Sequence, residues 1–206
     1  MKKWIWLLGA LPMVAFMLQA CSPQPKGQPD CGFVQNVYGE RVAWKKGLPI
    51  TLYIHESVPQ TAYTAIENAV KDWEVAMGRP MFRIGGYGIK SSATPQQDGV
   101  NMIYWMPTWE VEKASEQART SVYWISNEIK ETDIRVNAKN FSFFTDTPTS
   151  SRDVHLESLI LHELGHVLGL KHEDHSNSVM ATYLAYQTKR TDISARDKDS
   201  IRCEYL

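Results

Sequence analysis

The chain has 206 residues, 43% of them hydrophobic, which suits one globular domain with a proper core. Its formal net charge is −1, with no long run of like charge. Composition therefore excludes the basic footprint of a nucleic-acid-binding protein and the block charge of a polyelectrolyte partner.

At the N-terminus, Lys2 and Lys3 precede an apolar run from Trp4 to Leu18, which has the form of a secretory signal and is short for a membrane span. The run ends in LQAC, residues 18–21, which resembles the lipobox of bacterial lipoproteins. In that motif the Cys follows a small residue and receives lipid before cleavage. Gln19 is not the commonest residue at its position, and the other reading is ordinary cleavage after Ala20 with Cys21 left free. The lipobox reading makes residues 1–20 a signal peptide and Cys21 a lipid anchor. More than one acyl chain would hold it stably on a membrane. Residues 22–30, SPQPKGQPD, carry hardly an apolar side chain and read as a tether, which we extend over residues 21–40. The expected address is the envelope of a bacterium, exported and lipid-anchored, on the outer membrane where there are two.

Residues 41–206 are expected to form the folded domain. The stretch LPITLYIHESV (48–58) begins with alternating apolar residues and reads as a strand. Ala62, Ile66, Ala69, Val70, Trp73 and Met77 then recur at helical spacing, with Pro59 before them and Gly78 and Pro80 after. MFRIGG (81–86) and VNMIYW (100–105) follow as short strands, with TPQQDG (94–99) as a polar loop between them. Residues 119–125 and 131–136 read as two further strands. Residues 137–153 carry turn chemistry and read as a long loop, leading into a helix at about Asp153. Ser194 is placed to cap a last helix near 195–204. This order of elements gives an α+β domain. Trp73, Trp105 and Trp124 lie in strand or helix patterns and read as core, while His55 and His155 read as ordinary.

The helix that starts near Asp153 carries HELGHVLGLKH (162–172), with three of the chain's six histidines. On a helix, i and i+4 share a face, so His162 and His166 can point at one spot. Gly169 can take a left-handed conformation and stop the helix, letting His172 return to the same point. Three neutral imidazoles with one open position describe a catalytic zinc site. Such an ion lowers the pKa of a bound water to roughly 7, and Glu163 is placed to take its proton and pass it to a leaving amine. The stretch fits HExxH and the longer HExxHxxGxxH at every fixed position. Leu156, Leu159, Ile160, Leu164 and Val167 supply an apolar stripe beneath the histidines. His175 is close by but reads as a solvated turn residue, since His172 has the motif spacing.

With the following SVM (178–180), this stretch resembles the metzincin metallopeptidases, and within them the matrixins and their bacterial relatives. Met180, eight residues past His172, falls where the family places its Met-turn beneath the zinc ligands. VMATYL (179–184) is similar to the family's Val-Met-Tyr-Pro-Tyr-Leu, with Tyr183 aligned and Ala181 and Thr182 replacing Tyr and Pro. TDIRVNAKNFSFF and RTDISARDKDSIRCEYL resemble the strand before the zinc helix and the closing helix.

The resemblance implies a zincin-like fold with three helices and a twisted five-stranded mixed sheet, four strands parallel and one edge strand antiparallel. ARTSVYW (118–124) would be that edge, and a protein or peptide substrate would bind by adding a strand to it. Residues 181–186 would form a pocket wall, with Tyr183 as a candidate pocket residue. One catalytic Zn2+ and a monomeric chain are expected. Matrixins also commonly hold calcium and a second zinc, for which no clear His/Asp cluster is visible.

Cys21 aside, Cys31 and Cys203 form an even pair in an oxidising compartment, and a disulfide between them is expected. The alternative is a latency switch with the Cys31 thiolate on the zinc; PDCG (29–32) lacks the flanking residues of the family's switch. The function expected is zinc-dependent endopeptidase activity on extracellular or envelope proteins, by a Glu-activated water. The alternatives are a non-catalytic envelope lipoprotein that keeps the fold, or a hydrolase of cell-wall peptide.

Overall fold

The computed structural model describes residues 27–206. The expected signal peptide, Cys21 and the first part of the expected tether, residues 22–26, lie outside them. The elements in chain order are β1 (Ile50–His55), α1 (Tyr63–Met77), β2 (Phe82–Ile89), β3 (Met102–Met106), β4 (Ala118–Ile125), β5 (Glu128–Asn137), β6 (Phe143–Phe144), β7 (Val154–His155), α2 (Leu156–Val167) and α3 (Ala195–Tyr205).

Five strands form one mixed sheet in the order β2-β1-β3-β5-β4. All neighbours are parallel except β4, which runs antiparallel to β5 and leaves its outer edge free of any strand among the described residues. The β4–β5 connection is a two-residue turn at Ser126 and Asn127, with Ile125 paired to Glu128 and Ser126 at φ 60°. A hairpin this short forces the antiparallel direction, whereas the other neighbours need crossovers. Helix α1 supplies the crossover between β1 and β2 and ends at Gly78, where the sequence expects it to stop, with a left-handed φ of 67°.

Both long helices pack on one face of the sheet. Trp73, Ile103, Ile134, Leu161 and Leu164 are almost fully buried there. The Trp73 indole N–H donates to the Leu161 carbonyl at 3.1 Å, fixing α1 against α2. Among the described residues, no helix is long and apolar enough to cross a membrane.

Four expectations change in detail. Strand β2 runs on to Ile89, past Gly85 and Gly86, because the bare Gly85 lets the Tyr53 ring and the Thr51 methyl lie against the backbone. The loop over 137–153 contains β6, which pairs in parallel with β7. Helix α2 begins at Leu156, since the Asp153 carboxylate is occupied upstream by the N–H groups of Thr149 and Ser150 and the Ser142 hydroxyl. His155 takes the N-cap position, its ring accepting from the Ser158 N–H.

The fourth change is at the N-terminal boundary. Packing begins well before residue 41: Phe33 is 1% exposed in the core and bridges Leu170, and Val34 N–H donates to Gly169 O at 3.0 Å. Cys31 and Cys203 are joined in a disulfide across 172 positions, and Glu204 pairs with both Arg41 and Lys45. The expected disulfide is therefore present, and no thiol at Cys31 remains for a latency switch.

Candidate active site

Helix α2 carries the site because its apolar stripe fixes which side faces out. Leu159, Ile160, Leu164 and Val167 are buried, so His162 and His166 emerge together at the cleft. The helix stops at Gly169, with φ 99°, where the Gly169 and Leu170 N–H groups close back on the carbonyls of His166 and Gly165. Any Cβ at Gly169 would collide with the Val42 carbonyl, so the return of the chain toward His172 requires glycine.

His166 Nε2 lies 3.1 Å from His162 Nε2 and 3.1 Å from His172 Nε2. His162 Nδ1 lies 2.7 Å from Val179 O, and His166 Nδ1 lies 2.8 Å from Leu170 O. A carbonyl can only accept, so each of those Nδ1 atoms carries the proton and each Nε2 presents a lone pair. Burial pushes His162 down to about 3, with His166 alongside adding to the effect, and it lowers His166 and His172 too. All three rings are therefore favoured neutral. Lone pairs converging at this distance repel unless a cation sits among them. Tetrahedral bonds of about 2.0–2.1 Å to zinc would set ligand nitrogens roughly 3.3–3.4 Å apart, close to the spacing found. The donor set fits zinc. Among the described residues these three are the group whose potential ligand atoms meet.

Glu163 lines the same cleft, is 4% exposed, and accepts a 2.5 Å hydrogen bond at Oε2 from the Thr120 hydroxyl. Burial pushes its carboxyl up to about 7, opposed by that hydrogen bond. A bound cation would act against burial and favour the carboxylate. Met180 is buried beneath α2, where a Cβ on Gly165 would run into its sulfur. The turn holding it is tied to α3: Asp197 accepts from the Ser178 hydroxyl at 2.5 Å and the Val179 N–H at 3.1 Å, and also forms the capping box with Ser194. One carboxylate thus locks both Met180 and the carbonyl that orients His162.

The cleft encloses about 640 Å³. One wall is the free edge of β4, the floor is α2, and the opposite wall is Ala181–Leu184 with Arg190. The Gln117 amide donates to Leu184 O at 3.0 Å, joining the two walls at the Ala118 end. Tyr183 lines the cleft but is 68% exposed. Trp124 departs from its reading as core: it lies past a bulge in the edge strand, 46% exposed, and lines the other end. His175 is exposed beside Glu173, away from the triad.

Sequence reasoning missed Thr120, Arg190 and the ring-orienting carbonyls of Val179 and Leu170. Alternation along β4 could have placed Thr120 with Ala118 and Val122 on one face, but its contact with Glu163 depends on packing. The family model described as Matrixin, a peptidase family, matches residues 88–206, more than half of the chain. No curated protein matches it.

Proposed function

The chain belongs to the matrixin family of zinc-dependent metallopeptidases, and from that premise we propose that it is an endopeptidase in which His162, His166 and His172 hold one zinc ion and Glu163 is the general base. A single observation carries this reading. The Nε2 atoms of three histidines converge in a cleft that also holds a buried carboxylate, beside a strand edge with no partner among the described residues.

Zinc, when bound, supplies the positive charge that acidifies a water and polarises a carbonyl. The remaining work falls to the chain. The main-chain groups of β4 bind the peptide as an added strand and hold it in register. Glu163 takes a proton from water as its oxygen bonds to the peptide carbon. The same carboxyl then delivers that proton to the amine that leaves as the C–N bond breaks. Thr120 donates to Oε2 and restrains the carboxylate. The rings stay oriented by the carbonyls of Val179 and Leu170.

The substrates we propose are extracellular or envelope proteins, met by a monomeric enzyme exported and anchored through Cys21. The LQAC stretch supports this address, as does the Cys31–Cys203 bond, since disulfides persist in oxidising compartments. Incorporation of a fatty-acid analogue, absent in Cys21→Ser, tests the anchor. Digestion of a peptide library with the purified chain tests the activity. Cleavage within peptides, abolished by a chelator and restored by zinc, is the expected result. A zinc-loaded chain that cleaves nothing would favour a non-catalytic binding role, and cleavage confined to cell-wall peptides would redirect the substrate class.

A further inference from the structure

Arg190 is pinned to the helix that carries the histidines. Its backbone N–H donates to Ser158 Oγ at 2.7 Å, and Ser158 lies one helical turn before His162. Ser158 is itself fixed, its hydroxyl 2.7 Å from His155 Nδ1. The guanidinium therefore sits at a defined place in the wall of the cleft. Nη2 donates to Tyr183 O at 2.8 Å and Nη1 to Ala181 O at 3.4 Å. A guanidinium has five N–H donors, so three are left over.

No carboxylate of the described residues lies within ion-pairing distance of it. Burial works against its charge, with only a weaker opposing pull from Asp197, whose carboxylate is engaged by Ser178, Val179 and Ser194. By contrast Arg119, the other arginine lining the cleft, is paired with Glu116. Arg190 stays charged at any working pH, and a peptide covering it strips its water. An apolar side chain would leave that charge uncompensated, whereas a carboxylate would take the spare donors in bidentate fashion.

The direction of binding says which substrate residue this is. A peptide added antiparallel to β4, the more stable pairing, runs toward Ala118. That is the end where Gln117 meets Leu184 and the Ala181–Leu184 wall begins. We propose that Arg190 makes the cleft select substrates with an acidic side chain on the residue just after the scissile bond. This rests on the peptidase reading above and names its specificity.

The test uses the full zinc-loaded chain and four peptides that differ only at that residue: Glu, Gln, Leu or Lys. We expect kcat/KM for Glu to exceed that for Leu by about tenfold or more, the worth of a charge-assisted hydrogen bond. In Arg190→Gln this ratio should fall about tenfold, and Arg190→Glu should turn the preference toward Lys. A wild-type preference for Leu would overturn the proposal. So would a parallel loss on all four peptides in Arg190→Gln with the ratio unchanged, which would make Arg190 only a strut for the wall. Binding of the same peptides to the Glu163→Ala variant reads the pocket without turnover. The same Glu-over-Leu order there supports the proposal, and no order overturns it. Absence of cleavage by the wild type would count against the peptidase reading alone.

Discussion

Thr120 and Glu163 are 43 positions apart in the chain and meet through one hydrogen bond of 2.5 Å. If that bond positions the base, Thr120→Val should lower kcat roughly tenfold or more while KM and zinc content hold, and Thr120→Ser should restore it. Equal kcat in Val and wild type would remove Thr120 from the account. A second carboxyl group carries the clearest pH signature in the rest of the fold. Asp133 is 1% exposed; its Oδ1 accepts from the Met102 N–H at 3.1 Å, and Oδ2 has no partner. Burial, with Glu131 and Asp98 nearby, pushes it up to about 7, against the pull of the Met102 N–H. The folded state thus favours the protonated form. Its contribution to stability is fully present below the ordinary carboxylate range and is lost as pH rises through about 7. Asp133→Asn keeps the acceptor for Met102 and cannot ionise. It should flatten the fall in stability between about pH 4 and 7 and raise Tm at pH 8, by about 2–4 °C per kcal/mol relieved. Denaturation curves across pH check this, and an unchanged profile would mean that Asp133 is not the responsible group.

At the scale of elements, α2 shows what a motif leaves unsaid. HExxH allows any residue at its fourth position, but here Gly165 is packed directly against Met180 and beside Trp73. Gly165→Ala should overpack this contact and cost about 1–3 kcal/mol, seen as a lower denaturation midpoint. A neutral effect would mean that the Met180 side chain can move aside. The helix and the convergence of its histidines were legible in the sequence because their signals are local: i, i+4 spacing, an apolar stripe, and a glycine where the chain must turn left-handed. The two strands of the β4–β5 hairpin were legible as apolar segments, whereas their antiparallel pairing at the sheet edge was implied only by the family resemblance. Strands β6 and β7 were not, being two residues each and formed by the pairing of Phe143 with Val154. Nor was the docking of Phe33 beside Leu170, because the Pro- and Gln-rich stretch before it reads as tether and a lone buried Phe has no periodicity. Arg190 escaped for the same reason as Thr120. Each acts through partners that only tertiary packing brings near.

Over the whole molecule, the Cys31–Cys203 disulfide ties the entering chain to α3, close to where Lys171 pairs with Asp30 beside His172. A closed loop of 172 positions constrains the unfolded state by about 5 kcal/mol in the chain-entropy model, with measured gains often smaller. Replacing both cysteines by Ser should lower Tm without raising the activity of the fresh enzyme. A rise in activity would mean that this tie restrains the site. The central claim is that three histidines hold zinc while Glu163, which is no ligand, moves the proton. Zinc content after dialysis, measured beside kcat/KM in Glu163→Ala and His166→Ala, separates those two roles. We predict that Glu163→Ala keeps one zinc per chain and loses at least 10²–10⁴-fold in kcat/KM, while His166→Ala loses the metal itself. Near-normal turnover in Glu163→Ala, or full zinc retention in His166→Ala, would contradict the account.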